Sequence, residues 1–392
     1  MTKNTTVKEK NMLFHTCTKI KNSIYTCTSF GNLPVKIDLD SGEAELIKDL
    51  KGYEPFVTQD MLNDGESIFA LELNGNRMMQ CCLKDKVCHY FAIDCHVFDC
   101  GNYAAFVNHG GNIYIFPRHA EALVKIDLQI GKVQRYSELY KQNYFPDSQE
   151  NNEAYLYFSW GCKRKQKVWL YQERKNMLVA YDLEKSTWEN FELSIKIADC
   201  AYMVWKDDVL FMLSSEGRVF IWDLETHAMR QLVDCSLDKE EKNTFAKIVV
   251  TDQILYMLPA LGEEIVCVSL KTGQAEPWVN YPEQFRYCAS KTWCKYVGYC
   301  EDENYFYFAM RSANFMLCIN KSSGEGRWLK PSPLPLDDAV SLSMKYHKDI
   351  PLSEDDWTLR DLADYMTQTN LGNSFGDGLA CEGKRIWEKL EQ

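Results

Sequence analysis

Long hydrophobic runs are missing. Nowhere do the 392 residues approach the roughly 18 consecutive apolar positions that a membrane helix needs. The first ten, MTKNTTVKEK, are polar, and no apolar stretch of a secretory leader follows them. The chain is therefore expected to be cytoplasmic, with no membrane partner. An excess of basic charge is missing too. Lys and Arg number 44 against 56 Asp and Glu, a net charge of −12 with a pI near 5.2. Such a surface repels phosphate backbones, so no nucleic-acid partner is expected. The one basic run, KRKQK at 163–167, is too short to form a segregated face and reads as a solvated hairpin tip. Zinc-protease H-E-x-x-H, a complete phosphate-binding P-loop and a dinucleotide G-x-G-x-x-G between strand and helix are absent as well.

What is present is an ample core. Apolar residues make up 46% and aromatics 13%, with 26% charged, a composition that excludes a disordered chain. The sixteen cysteines are spread along the whole length rather than clustered as a disulfide framework. They read as reduced thiols acting as small buried apolar side chains. Within CHYFAIDCHVFDC at 88–100, Cys88, His89, Cys95, His96 and Cys100 lack the close C-x(2–4)-C knuckle of a zinc site. CASKTWCKYVGYC at 288–300 spaces its cysteines by sixes and is read the same way. No metal site and no cofactor are expected.

A motif recurs. LPVKIDLDSGEAELI at 33–47 and ALVKIDLQIGKVQRY at 122–136 both read as strand, turn, strand. Similar turns surround Cys82, Asp182, Asp223, Ser269 and Asn320, and with Asp38 and Asp127 the intervals are 44, 45, 55, 41, 46 and 51 residues. Upstream of each stands an aromatic in an apolar run: Tyr25, Phe69, Tyr114, Trp169, Phe211, Tyr256 and Tyr307. The distance from aromatic to turn is 13 residues in six copies and 12 in the fifth. Two markers locked together while the outer spacing drifts indicate a fixed hairpin with variable connections. The turn residue has a physical role: an Asp carboxylate accepts hydrogen bonds from backbone N–H groups two residues on, and a glycine supplies a positive φ. Ser269 and Asn320 can substitute; Cys82 does so poorly.

Each unit reads as four strands. In the third they are YAAFVNH, NIYIFPR, ALVKIDL and KVQRYSEL, dense in β-branched and aromatic residues. Seven such units predict an all-β fold, a seven-bladed β-propeller of four-stranded antiparallel blades over residues 1–330. The turn motif resembles the D-L-x-T-G turn of quinoprotein-like and related bacterial propeller repeats over about residues 12–330; the glycine–histidine partner of WD-repeats is missing beside Trp222-Asp223. Residues 331–352, with KPSPLPLDD at their start, read as a proline-containing linker. Residues 353–392 read as a helical C-terminal extension. Ser353 and Asp356 have the form of a capping box, with Leu359, Leu362, Ala363 and Met366 at helical spacing. A glycine-rich tether then leads to KRIWEKLEQ, where Ile386, Trp387 and Leu390 form one apolar side, either packed on the propeller or docking a partner.

Ring position suggests where a ligand would sit. Propeller ligands meet the mouth of the central channel, near loops between second and third strands. Four residues past each aromatic stand Ser29, Leu73, Arg118, Glu173, Ser215, Ala260 and Arg311. Arg118, His119, Glu173, Arg174, Arg311 and Asn314 are the candidate ligand-binding residues, because Arg donates two parallel hydrogen bonds to carboxylate or phosphate. Tyr53, Tyr103 and Trp293 could add stacking faces. No catalytic residues are assigned, and the chain is read as leaning away from an enzyme. The leading expectation is a non-catalytic scaffold that binds another protein through rim loops and the C-terminal helix. The alternative is an enzyme or sensor acting on a sugar acid or another small anionic carbohydrate at the channel mouth; fold does not choose between them.

Overall fold

The structure is a computed structural model. It describes residues 9–10, 14–28, 32–56, 58–72, 77–93, 103–118, 122–136, 158–236, 245–260, 264–283, 296–310, 315–332, 334–335, 338, 341–342 and 345. The capping-box helix, the tail with Ile386, Trp387 and Leu390, and the rim residues His119, Arg311 and Asn314 lie outside them.

The seven predicted units are seven antiparallel four-stranded sheets, each built from strands consecutive in sequence. Blades I to VII span 14–46, 58–92, 103–136, 160–192, 200–234, 245–277 and 296–329. The third blade runs Tyr103–His109, Asn112–Pro117, Leu123–Asp127 and Lys132–Tyr136, the four strands read from sequence. The second strands carry the aromatic markers and are buried nearly end to end, as in Lys167–Gln172 and Tyr305–Met310. A strand covered on both faces needs such an uninterrupted apolar run. Fourth strands lie outermost; Ala275–Pro277 is exposed throughout.

Cover comes from neighbouring blades. The buried apolar residues fall into seven clusters, one for each junction between adjacent blades. The cluster of Cys17, Ile24, Val35 and Ile37 with Tyr307, Met316 and Cys318 joins blade I to blade VII and closes the ring. Each fully buried Leu, Ile, Val or Phe contributes roughly 1.5–3 kcal/mol, so the seams hold most of the stabilisation.

Among the described residues each blade keeps its own four consecutive strands, with none exchanged between blades. Cys17 Sγ and Cys300 Sγ lie 3.7 Å apart across the seam, and Lys19 Nζ stands 3.4 Å from Asp302. Beyond blade VII the chain follows the outer edge of blade I. Ser332 N–H donates to the Gly42 carbonyl at 2.8 Å, and Ala44 N–H donates to Ser332 Oγ. Leu334 and Leu342 enter the blade I/VII core. Glu9–Lys10 then pairs with Leu334–Pro335, clipping the two ends of the chain together.

The turn chemistry is as expected. Asp38 Oδ1 accepts the N–H groups of Asp40 and Ser41, Asp182 those of Glu184 and Lys185, and Asn320 those of Ser322 and Ser323. These bonds hold the Asp38 and Asp182 carboxyls below the ordinary carboxylate pKa. Four residues after each turn residue, φ is positive: Gly42, Lys86, Gly131, Ser186, His227, Gly273 and Gly324. At Gly273 an added Cβ would stand 2.8 Å from the Leu232 carbonyl oxygen of the preceding blade. Gly273→Ala is therefore expected to destabilise by at least about 1 kcal/mol. Lys86→Gly, which relieves a non-glycine φ of 53° at an exposed site, is expected to stabilise by about 0.5–1 kcal/mol. Urea denaturation checks both.

Candidate functional site

The first strand of every blade runs along the central axis. Together they enclose a cavity of about 510 Å³ lined by residues of all seven blades, from Thr16 in blade I to Tyr299 in blade VII. That volume falls within the range of small-ligand sites.

The wall has a repeated construction. In six blades the pairing of first and second strands slips by a bulge near the start of the first strand, between Phe14/Cys17, Thr58/Asp60, Tyr103/Ala105, Cys200/Tyr202, Phe245/Lys247 and Tyr296/Gly298. Bulges re-aim side chains and recur beside binding sites. The residues at these bulges, with Trp160 in the blade lacking one, occupy equivalent positions: Thr16, Asp60, Ala105, Trp160, Tyr202, Lys247 and Gly298. Each stands nine residues before its aromatic marker, from 25 − 16 to 307 − 298. Six of the seven line the cavity, one acid, one base, two aromatics and the small Thr16 and Ala105, while blade VII lines it with Tyr299 beside Gly298.

Within the layer, Trp160 and Tyr202 lie 5.0 Å apart between ring centroids. The Lys247 ammonium lies 5.6 Å from the centre of the Tyr202 ring and 5.4 Å from that of Tyr299, where a cation is attracted by the ring faces. Asp60 is open to the channel yet surrounded by protein. Enclosure pushes its carboxyl up to about 6, against the opposing pull of the Met61 N–H and of Lys247. Enclosure also raises the Tyr202 hydroxyl, with Asp60 adding to the effect, and raises that of Tyr299 beside Glu301. Gln59 donates to the Tyr103 carbonyl at 3.2 Å, while its Oε1 is buried with no hydrogen-bond partner among the described residues.

The layer sits near the rim that carries the second-to-third-strand connections, because first-strand starts pair with second-strand ends, as Tyr103 with Pro117. This is the rim reasoned from sequence. Of the candidates there, Arg118 has its Nε buried without a hydrogen-bond partner among the described residues. Glu173 is engaged by protein: one oxygen accepts from Ser159 Oγ, the other from the Asp199 N–H, and Asp199 accepts from Ser215 Oγ at 2.6 Å. Glu173 and Ser215, equivalent positions of adjacent blades, are thereby linked. Arg174 is exposed in the turn beyond. No ion pair joins Arg118 to Glu173. Tyr53 is a core residue, 6% exposed, whereas Tyr103 lines the cavity. Cys88 is buried and His89 exposed, an ordinary strand alternation, and no group of three metal-ligating side chains occurs among the described residues.

The opposite rim is built differently. Its hairpins reach from blade to blade: Asn63 Nδ2 to Thr18 Oγ1 at 2.6 Å, Lys163 to the Asn108 carbonyl, Arg164 to Asp208, and Lys206 to Asp252 at 2.6 Å. The basic run at 163–167 forms one of these hairpin tips. The C-terminal sequence also holds two motif-like spacings. GNSFG at 372–376 has the form of a nucleophile elbow, and GLACEGK at 378–384 lacks only the final Ser or Thr of a P-loop. Both lie outside the described residues.

No family model matches the chain, and no curated protein does. Solved structures do. One is the computationally designed Ika8 protein, 9% identical with a TM-score of 0.53, covering 84% of this chain and 91% of that one. Another is PorZ, a bacterial surface component of the type-IX secretion system of Porphyromonas gingivalis, 10% identical with a TM-score of 0.54 over 83% of this chain. A third is the extracellular domain of a protein described as a one component system, BT4673 from B. thetaiotaomicron, 9% identical with a TM-score of 0.52 over 82%. The chain spans 39% and 47% of the latter two. At such identities the likeness shows the fold alone. The chain is a seven-bladed β-propeller.

The raised Asp60 carboxyl has a consequence for stability. The folded state keeps its proton up to about pH 6, whereas the unfolded chain loses it near pH 4, so ionisation penalises the folded state as pH rises through that window. Asp60→Asn is expected to match the wild type in melting temperature below pH 4 and to exceed it above pH 6. Thermal melts across pH 3.5–8 read the gap.

Proposed function

We propose that this propeller is a non-catalytic binding module whose recognition face is the rim around the bulged end of the channel. The observation that carries the reading is the cavity itself, of small-ligand size, whose bulged layer presents Asp60, Lys247, Trp160 and Tyr202. No nucleophile hydrogen-bonded to a base lines this cavity among the described residues, which favours binding over turnover. The same reading takes the rim loops as the route by which a partner protein engages, with the C-terminal segment 353–392, helical in its sequence pattern, as a second contact. It takes the repeat as of the quinoprotein-like type on the strength of the Asp-Leu turns.

Hydrogen exchange of the full chain, with and without small-molecule and protein fractions of its native extract, tests the assignment. Protection is expected at the first-strand starts, residues 58–62, 103–106, 160–162, 202–203 and 247–249. Protection confined to the opposite hairpins, 20–23, 164–167 and 206–209, would overturn it.

A further inference from the structure

The cavity is not shared evenly among the blades. Most of its lining comes from the first strands of blades II, III and IV, and short contacts place these three side by side. Gln59 Nε2 donates to the Tyr103 carbonyl at 3.2 Å, joining blade II to blade III. A Cβ added at Gly161 would stand 3.0 Å from that of Ala105, so blade IV closely approaches blade III. In a regular strand neighbouring side chains point to opposite faces. The bulge between Thr58 and Asp60 adds a residue, and Gln59 and Asp60 both line the cavity. Asp60 Oδ1 accepts the Met61 N–H at 2.8 Å, and its other oxygen receives no hydrogen bond among the described residues. Gln59 Oε1 is likewise an acceptor without a donor there. Two blades on from Asp60, the half-buried Trp160 indole lines the same space, with the small Ala104 and Ala105 between.

From this arrangement we infer that the channel binds a neutral sugar, a pyranose whose hydroxyls donate to the Asp60 carboxylate and the Gln59 amide oxygen while its C–H face lies on the Trp160 indole. This occupant rests on the recognition face proposed above and names the class that face takes. Three features choose it. Acceptors without donors in an enclosed space favour a ligand rich in O–H or N–H groups. The ammonium groups of Lys163 and Lys247 line the same cavity and disfavour a cation, whereas the carboxylate and the amide oxygen disfavour an anion. Hydroxyls carry no charge and both donate and accept, so the same ligand also meets the Tyr202 hydroxyl. The indole adds a flat apolar surface that suits a ring's C–H groups and that an open-chain polyol cannot use as well.

Isothermal titration of the full chain with the methyl glycosides of glucose, galactose, mannose and N-acetylglucosamine, and with cellobiose and maltose, tests the inference. Glucuronate, glucosamine and sorbitol are the comparison probes. At least one neutral sugar is expected to bind saturably and at least tenfold tighter than any comparison probe, a difference of about 1.4 kcal/mol. Trp160→Leu keeps apolar bulk but loses the flat face, and Asp60→Asn keeps the shape but loses the charge-assisted bonds. Each should weaken that sugar at least tenfold. Arg230→Ala, on the outer strand of blade V, should leave it unchanged. Circular dichroism establishes that the variants are folded. A comparison probe binding as tightly as the best sugar, or a sugar binding Trp160→Leu and Asp60→Asn as well as the wild type, would overturn the inference and leave the binding module standing. So would failure of all probes while native extract protects the first-strand starts. Failure of all probes with no such protection would overturn both.

Discussion

A sheet with two greasy faces has to be covered twice, and every feature of this propeller follows from that requirement. Second strands such as Val168–Tyr171 bury side chains on both sides, so no blade is soluble alone and each must stand between two others. A linear stack would leave its first and last sheets bare. A ring leaves none, and the seven interfacial clusters, including the one that unites Ile24 with Tyr307, are the closed form of that solution. Polar groups then serve the seams. Trp278 Nε1 donates across one of them to the Gly324 carbonyl, and Tyr114 Oη across another to that of Leu183.

Closing the ring leaves an axis where seven first strands converge, and this is where the repeat stops being uniform. Outer positions repeat because the turn and the packing demand it. Six of the seven positions at the inner bulges line the channel and are released from that demand. Their divergence into Thr16, Asp60, Ala105, Trp160, Tyr202, Lys247 and Gly298 is therefore chemically informative in a way that the invariant aromatic is not. The two rims divide the work. Pairs such as Lys206 with Asp252 brace one end of the ring, and the other is left to present the channel. A carboxyl held near pH 6 by enclosure, in one cavity with an ammonium cradled by two phenol rings, is the form of a preorganised site.

Most of the fold was legible in the sequence because both markers are local: an aromatic in a doubly buried strand, and a turn residue whose side chain caps the backbone. Closure was not legible. The clip of Glu9–Lys10 against Leu334–Pro335 is two residues long and leaves no periodicity. The rim was reached by counting forward from the aromatic along the second strand, which found Arg118 and Glu173. The residues that wall the channel lie nine positions backward, on the first strand, beyond a bulge that adds an unannounced residue to the register. Asp60 and Lys247 each look like an ordinary surface charge until the ring sets them in one cavity. Glu173 shows the converse: a carboxylate conspicuous in sequence that folding commits to Ser159 and the Asp199 backbone.

Covalent capture of the closing seam tests ring geometry most directly. Cys17 and Cys300 are 283 residues apart in the chain, yet their sulfurs lie 3.7 Å apart. Brief oxidation of the monomer, followed by digestion and mass spectrometry, should yield a disulfide-linked peptide pair joining Cys17 to Cys300. Cys17 joined to a cysteine of any blade other than its two neighbours would mean that blades I and VII do not meet and that the ring, with its channel, is wrong.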